Sequence, residues 1–149
     1  MIREVFRLKE IQVVAFTLGY QEYGVDILDV QEIIKVLTIT RVPRAGRFIE
    51  GVINLRGNVI PVFNLHKRFG VSPVEDRGEA RIIVFQFEDT RAGIIVDGVS
   101  EVIRIGVEAI EGADKVYQNM EAEFIQGVGK VQGRLLLLLN AKKLLGLEL

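Results

Sequence analysis

The residues that could carry out chemistry are few, and the first of them is His66, the only histidine in the chain. General acid–base or nucleophilic catalysis by an imidazole would have to run through this residue. It stands in the sequence Leu-His-Lys-Arg-Phe after a predicted strand, with no acidic residue close to it in the sequence. We interpret it as an exposed or helix-capping residue and not as a catalytic one.

The sequence gives little support for a metal site or for catalysis by paired carboxylates. The chain contains no cysteine, so it offers neither disulfides nor thiolate ligands. A single histidine among scattered carboxylates supplies no cluster of ligands. Asp97 and Glu101 lie close in the sequence, but strand spacing and loop exposure explain both without chemistry. We predict a protein that is not an enzyme and that needs no metal and no cofactor.

Two further segments suggest phosphate or nucleic-acid binding. Gly127-Val-Gly-Lys-Val-Gln-Gly133 weakly resembles a phosphate-binding loop, but it lacks the Gly-Lys-Ser/Thr ending and no crossover helix follows it. The arginine-rich segment Arg41-Val-Pro-Arg-Ala-Gly-Arg47 is the better case, since small barrels bind oligonucleotides, usually on aromatic stacking platforms. The chain has no tryptophan, 7 % aromatic residues and a net charge of −1. A nucleic-acid-binding double β-barrel is therefore kept as the alternative function.

Composition and charge set the broader class. With 149 residues the chain fits one domain, or two very small ones that share a core. No apolar run approaches the ~20 residues needed to span a membrane, and the charged N-terminus lacks the apolar core of a signal peptide. Residues 1–70 carry a net charge of +3 and residues 71–149 one of −4. We predict a cytoplasmic protein with one basic face, which matters for the choice of partner.

The elements that must position these residues are indicated by an internal repeat. Residues 50–70 align without a gap on residues 126–146, and residues 14–36 align on residues 83–105. Ordered matches over two blocks indicate duplication, with approximate repeat units 11–70 and 80–146 in a single domain of residues 1–149.

Each repeat predicts short strands joined by glycine turns. In residues 51–65 the sequence Arg-Gly-Asn interrupts two apolar runs, which is a tight-hairpin signal. Residues 26–37 have helical spacing, yet their counterpart in the second repeat is a poor helix, so we predict a strand, preceded at most by one helical turn around residues 27–30. The longer connection between residues 105 and 127 is predicted to be a loop.

Two short helices and a core complete the prediction. Residues 66–69 and 141–145 follow Asn64 and Asn140, which are good N-caps, and each helix can end at a glycine. The pattern is all-β: a small barrel or sandwich in each repeat. The residues expected to be buried are Ile83, Phe85, Val96 and Val59.

Three motifs in order resemble the bacterial chemotaxis coupling proteins, the CheW-like family. They are Phe16-Thr-Leu-Gly-Tyr-Gln-Glu-Tyr-Gly-Val-Asp-Ile-Leu-Asp-Val-Gln-Glu-Ile33, then Gly51-Val-Ile-Asn-Leu-Arg-Gly57 with Val59-Ile-Pro-Val62, then Gly93-Ile-Ile-Val-Asp-Gly-Val-Ser-Glu-Val102. The resemblance covers about residues 11–146. It implies an internal duplication that forms two five-stranded SH3-like β-barrels with a shared core, short helices and possible strand exchange. The uniform run Leu135–Leu139 and Asn58 depart modestly from the family pattern.

The resemblance also implies a function. Proteins of this family are adaptors without catalytic activity that join methyl-accepting chemoreceptors to the chemotaxis histidine kinase in signalling arrays. The expected partners are therefore the cytoplasmic tip of a chemoreceptor and the regulatory domain of the kinase, with neither nucleic acid nor direct membrane insertion. The expected location is the cytoplasm, at receptor arrays beneath the inner membrane. Because the chain has no room for a kinase or receiver domain, we expect a stand-alone coupling protein of a two-component system.

Site residues follow by motif from the same resemblance. The receptor surface is associated with the groove between the barrels and carries over to Val30, Glu32, Gly51, Asn54, Leu55, Arg56 and Gly57. The kinase surface is associated with the second barrel and carries over to Gly93, Val96, Asp97 and Val99. Physical reasoning favours Arg56 among them, because a guanidinium beside a glycine turn offers a planar set of donors where a partner's backbone can approach closely.

Overall fold

The computed structural model describes residues 10–112 and 123–147, and strands dominate them. The strands are β1 Glu10–Leu18, β2 Gln21–Asp26, β3 Val30–Lys35, β4 Ile49–Leu55, β5 Asn58–Phe63, β6 Arg81–Phe87, β7 Thr90–Val96, β8 Gly98–Gly106, β9 Ile110–Gly112, β10 Ile125–Val131 and β11 Arg134–Leu139. The helices are α1 Leu65–Phe69 and α2 Ala141–Leu144, each of little more than one turn. No helix in these residues is long and apolar enough to cross a membrane. The prediction of an all-β fold with short helices is confirmed.

The strands form two sheets, and the chain divides into two compact units. The central unit comprises Thr17–Tyr20 and Leu28–Val99, and its sheet has the order β3-β6-β7-β5-β4. The terminal unit comprises the described residues up to Phe16, then Gln21–Ile27, then those from Ser100 onward. The sheet to which most of the terminal unit's strands belong has the order β8-β1-β2-β11-β10-β9. Both sheets are consistent with SH3-like barrels.

Each sheet contains a parallel pair that joins strands distant in sequence. In the central unit, β5 pairs with β7 so that Val62 lies beside Gly93. In the terminal unit, β11 pairs with β2, and Leu138 lies beside Gly24. The early strands β1 and β2 therefore share a sheet with the late strands β10 and β11, while β6 and β7 share one with β4 and β5.

The ambiguous segment 26–37 is a strand. A 3₁₀ turn spans Ile27–Asp29, and β3 then runs antiparallel to β6 with Ile33 opposite Ile83. Its apolar residues have helical spacing, but the segment forms a strand because pairing with β6 satisfies its backbone hydrogen-bonding groups. The prediction of a loop across residues 105–127 is wrong in part, because Ile110–Gly112 form strand β9 along β10. Asp114, predicted in the same loop, lies outside the described residues.

Two equivalent glycines bring strands close together. A side chain at Gly51 would collide with the carbonyl oxygen of Thr40, and one at Gly127 with that of Glu111. The pairings concerned are the bridge from Thr40 to Val52 and the β9–β10 ladder. In both places the absence of a Cβ permits the backbone contact that covers the outer edge of the hairpin.

Each unit has its own apolar cluster. In the central unit it contains Ile53, Leu55, Ile60, Val62, Ile82 and Val84. In the terminal unit it contains Val13, Ala15, Ile103, Ile105, Leu136 and Leu138. Such clusters follow from the period-two alternation of the strands, which turns every second side chain inward.

Three of the four residues predicted to be buried are buried: Ile83, Phe85 and Val96. The prediction for Val59 is wrong, because its relative exposure is 71 %. Val59 is the second residue of β5, directly after the turn, and the alternation gives the inward position to Ile60.

The caps of the two helices match the prediction. The Asn64 side-chain oxygen accepts a hydrogen bond from the Lys67 N–H at 3.0 Å, and that of Asn140 accepts one from the Lys143 N–H at 3.1 Å. These bonds satisfy donors that a helix of one turn would otherwise leave free. Gly70 ends α1 in a left-handed conformation with φ 67°.

Phe85→Ala tests the core of the central unit. Phe85 is fully buried and stacks on Phe87 with ring centroids 6.2 Å apart. Removing a buried phenyl group leaves a cavity, so the variant should lose about 3–5 kcal/mol of unfolding free energy in chemical denaturation. The matched control is Val59→Ala on the exposed face, which should change stability by no more than about 0.5 kcal/mol. Equal effects of the two substitutions would contradict this assignment of faces.

Candidate partner-binding site

The hairpin of β4 and β5 carries most of the predicted receptor motif. Its turn residues Arg56 and Gly57 both have positive φ, 51° and 87°, as a type I′ turn requires. The side-chain oxygen of Asn54 accepts a hydrogen bond of 2.9 Å from the Gly57 N–H, which fixes the turn from within. The turn therefore holds the Arg56 head group at the tip of the hairpin.

Arg56 forms an ion pair with Glu32 of β3. The arginine side chain is 65 % exposed and the glutamate side chain 25 % exposed. An ion pair so accessible to solvent contributes little to stability. Gln132 occupies the same place in the β10–β11 hairpin with φ 49°, so this kind of turn forms without a cation. The charge of Arg56 is thus available for binding at small cost to the fold.

The other predicted receptor residues lie in the same unit with different exposure. Asn54 and Gly57 are exposed, Val30 is half-buried, and Gly51 and Leu55 are buried. Gly51 and Leu55 therefore support the hairpin from below. The side chains that a partner can reach are those of Asn54, Arg56 and Glu32.

The predicted kinase residues differ from one another in burial. Gly93 and Val96 are buried, whereas Asp97 and Val99 are half-buried. All four belong to the central unit, together with the Arg56 hairpin. The pairing of β7 with β5 brings Gly93 and Val96 into the same sheet as that hairpin. Burial leaves Gly93 and Val96 with a packing role.

His66 and Asp97 form a pair that the sequence did not reveal. The His66 Nε2 lies 2.9 Å from Asp97 Oδ2, and their side chains are only 10 % and 9 % exposed. The same Oδ2 accepts a 2.7 Å hydrogen bond from the Gly19 N–H. The interpretations of His66 as exposed or capping, and of Asp97 as an exposed loop residue, are wrong. One signal in the sequence could have indicated that His66 is buried. Lys67 and Arg68 are charged and favour solvent, so the inner face of α1 is left to Leu65 and His66.

A groove of about 600 Å³ opens beside this pair in the central unit. Its walls include Val71, Pro73, Val74 and Ile95, so they are mainly apolar. The described residues contain no cluster of acidic and histidine side chains that could hold a metal. The polar part of its lining includes Lys67 and Asp76 besides His66 and Asp97.

The terminal unit has its own ionic cluster around Arg134. Its guanidinium donates two hydrogen bonds to Glu22, at 2.9 and 2.6 Å, and one to Glu101 at 3.1 Å. These bonds hold the pKa of Glu22 below its ordinary value, chiefly through the hydrogen bonds from Arg134. They hold the pKa of Arg134 above its ordinary value. Glu101 occupies the place in the second sequence repeat that Glu32 has in the first, and each contacts an arginine.

Comparison with known proteins agrees with this architecture. A family model described as the CheW-like domain matches residues 12–148. The chain therefore belongs to the CheW-like domain family, and the resemblance in the sequence is confirmed.

Named relatives cover nearly the whole chain. A chemotaxis protein CheW of Klebsiella aerogenes is 39 % identical over 133 residues, which are 89 % of this chain and 80 % of the relative. A chemotaxis protein CheW of Thermotoga maritima is 36 % identical over 141 residues, which are 93 % of this chain and 89 % of the relative. The crystal structure of the scaffolding protein TtCheW from Thermoanaerobacter tengcongensis matches with a TM-score of 0.78 and 39 % identity, covering 87 % of this chain and 88 % of that one.

The pKa of Glu22 yields a test of the Arg134 cluster. A carboxyl group whose pKa is lowered by folding stabilises the folded state above its ordinary pKa of 4.5, and this contribution is lost as the pH falls through the lower folded-state value. Glu22→Gln should therefore melt below wild type near neutral pH, and the difference should shrink as the pH falls below about 4.5.

The measurement is thermal melting followed by circular dichroism across that pH range. Glu75→Gln is the control, since its pair with Arg77 is spaced at 3.9 Å and highly exposed, and its melting should match wild type at neutral pH. A melting difference for Glu22→Gln that stays constant down to about pH 3 would contradict the assignment.

Proposed function

We propose that this protein is a non-catalytic chemotaxis adaptor that couples methyl-accepting chemoreceptors to the chemotaxis histidine kinase. The observation that carries the proposal is the match to the CheW-like domain over residues 12–148, together with relatives named chemotaxis proteins and a solved relative named a scaffolding protein. Such an adaptor works in the cytoplasm, at receptor arrays beneath the inner membrane. It would need no cofactor and no catalytic group.

The surface of the central unit supports this role. A binding module needs presented side chains on a rigid frame. The β4–β5 hairpin supplies the frame. The guanidinium of Arg56 and the carboxylate of Glu32 place a hydrogen-bond donor and an acceptor side by side. We assign the receptor-contacting role to the exposed part of the motif, which consists of Glu32, Asn54, Arg56 and Gly57. Val30, Gly51 and Leu55 hold that part in place.

The kinase surface is proposed around Asp97 and Val99, with Gly93 and Val96 packed beneath. These residues are in the same unit as the receptor motif. We also propose that the chain is one CheW-like domain made of repeat units 11–70 and 80–146. For the alternative of nucleic-acid binding, Phe16 and Phe85 are buried, so neither can serve as a stacking platform.

The function is tested by affinity capture with two separate baits, a chemoreceptor cytoplasmic fragment and the regulatory domain of a chemotaxis kinase. We expect the purified protein to bind both. Generic duplex DNA serves as the third bait, and binding to it should vanish at moderate salt because only phosphate contacts are available. Retention on DNA with no capture by either protein bait would contradict the adaptor function and favour the alternative.

Arg56→Ala tests the receptor site. Truncating one partner of a charge pair buried at an interface costs about 2–5 kcal/mol of binding, whereas the exposed pair within the free protein is worth about 1 kcal/mol or less. The variant should melt close to wild type and bind the receptor fragment much more weakly in calorimetric titration. Arg56→Lys should restore binding only in part if the contact is bidentate.

The chain offers a matched control at the other hairpin. Gln132→Ala removes the side chain from a turn of the same type in the terminal unit, and it should leave receptor binding unchanged. If Arg56→Ala binds like wild type, Arg56 does not belong to the site. If it melts far below wild type, Arg56 is a structural residue.

A further inference from the structure

The connection between β3 and β4 contains the arginine-rich segment, in which Arg41, Arg44 and Arg47 are all exposed. None of these three side chains has an ion pair or a hydrogen bond within the described residues. Like charges that lie close together without counter-charges repel one another and attract an anionic partner. The three arginines therefore form a basic surface, and we call the segment of residues 41–49 the arginine turn.

Backbone hydrogen bonds hold the arginine turn in one conformation. The Ala45 N–H donates to the Val42 carbonyl at 3.2 Å, and the Ile49 N–H donates to the Gly46 carbonyl at 3.0 Å. Arg44 is the third residue of the first of these turns and has φ 60°. A residue other than glycine keeps such a backbone only where its surroundings determine it.

Both ends of the arginine turn are fastened to the rest of the central unit. Before it, Thr40 and Val52 exchange two backbone hydrogen bonds of 2.8 Å each. Near its end, the Phe48 carbonyl accepts a hydrogen bond of 2.7 Å from the Asn64 N–H. The three arginines are therefore presented from a fixed backbone.

Two guanidinium groups lie over one aromatic ring at the end of the arginine turn. The Arg47 guanidinium carbon lies 5.9 Å from the centroid of the Phe48 ring, and that of Arg68 lies 5.1 Å from it. Both distances are within the range of a cation–π contact. These contacts restrict the two side chains and bring Arg68 of α1 next to the arginine turn.

The fold does not require positive charge at this place. In the second repeat the carbonyl that lies against Gly127 belongs to Glu111, whereas Thr40 has that position in the first repeat. Residues 107–112, which lead to this contact, contain no lysine or arginine. A segment can therefore cover the edge of its hairpin without basic side chains, so the fold does not explain the charge of the arginine turn.

A cleft of about 330 Å³ lies between Arg41 and Lys67. The rest of its lining consists of Val42, Pro43, Ile49 and Glu50. Glu50, its only carboxylate, accepts a 2.9 Å hydrogen bond from Asn64 and lies 4.0 Å from Lys67. This carboxylate is therefore occupied, and a counter-charge for Arg41 has to come from a partner.

The composition of this surface favours a protein among the possible anionic partners. Arginine is enriched and lysine depleted at protein interfaces, and Val42, which is 44 % exposed, stands among the arginines. Nucleic acid fits less well, because two arginines cover the Phe48 ring on which a base would stack. An anionic bilayer fits less well, because a flat surface does not enter a cleft and because Glu50 would repel its phosphates.

We propose that the arginine turn is a docking surface for an acidic segment of a protein partner. Carboxylates of that segment pair with Arg41, Arg44 and Arg47, since a planar guanidinium binds a carboxylate through two hydrogen bonds. An apolar side chain of the same segment packs on Val42 in the cleft. The surface contains none of the residues assigned above to the receptor or the kinase, so it is a further site of the protein.

The probe is a synthetic peptide of alternating glutamate and leucine, and its binding to the full chain is measured by fluorescence anisotropy. We expect wild type to bind this peptide, with an affinity that falls as salt is added, and not to bind the same peptide with glutamine in place of glutamate. The triple variant Arg41→Gln, Arg44→Asn, Arg47→Gln should bind the acidic peptide at least about tenfold more weakly. Asparagine is chosen for Arg44 because it tolerates positive φ.

A second triple variant controls for net charge. Arg77→Gln, Arg104→Gln and Lys130→Gln remove three exposed cations from other places in the chain, where their side chains are 80 %, 68 % and 57 % exposed. Both triple variants lose the same charge, and both should melt close to wild type because the replaced side chains are exposed. The control should bind the acidic peptide like wild type. If the arginine-turn triple fails to fold, its three single substitutions replace it, and each should weaken binding.

Three results would overturn the proposal. The first is no binding of the acidic peptide by wild type, and the second is an equal loss in the two triple variants, which would leave only an effect of net charge. The third is stronger binding at equal salt to a short DNA duplex or to phosphatidylserine vesicles, lost in the arginine-turn triple, which would assign the surface to nucleic acid or to a membrane. The test uses neither the receptor nor the kinase, so its outcome is independent of the proposed function.

Discussion

The parallel pairing of β5 with β7 is the interaction on which the central unit depends. It places Val62 beside Gly93 and Phe63 beside Ile94, and so joins a hairpin from the first half of the chain to one from the second. Gly93 is required there because a Cβ would lie 2.9 Å from the Ile82 side chain. This pairing directs the end of β7 toward α1, where Asp97 meets His66. One sheet therefore positions both the exposed Arg56 and the side chain of Asp97.

The charge of Arg56, to which we assign a binding role, stands in a turn that forms without it. The two type I′ hairpins share their backbone conformation, yet one carries arginine and the other glutamine. The turn itself needs positive φ and a glycine, and it does not need a charge. At the β1–β2 turn the Asp97 carboxylate holds the backbone of Gly19, while the Tyr20 side chain is exposed. The conformation of these turns thus depends on backbone contacts and not on the exposed side chains.

Local signals in the sequence predicted much of this structure. Alternation, glycine turns and the asparagine caps predicted the hairpins and the helices α1 and α2, and comparison of the repeats predicted strand β3 against its own helical spacing. The prediction that Val59 is buried was wrong because a β-branched residue beside a turn can lie on either face of a strand. Only the pairing register of β5 determines which face it occupies. Strand β9 was not predicted because a segment of three residues is too short to show an alternating pattern. Its pairing with β10 stabilises it as a strand.

The site could be predicted only where its residues lie close together in sequence. Arg56, Gly57 and Asn54 come from one hairpin, and their motif was readable. His66 and Asp97 lie on different elements, and Gly19 on a third, so no local pattern connects them. Burial of a histidine beside a carboxylate depends on tertiary pairing, which periodicity does not record.

The central claim is that this protein couples a receptor to a kinase through surfaces of its own. It is tested most directly by measuring kinase autophosphorylation with receptor fragments, in the presence and absence of this protein. The account predicts that receptor fragments change the rate of autophosphorylation only when the protein is present. A rate that responds equally to the receptor fragments without the protein, or that never responds with it, would contradict the account.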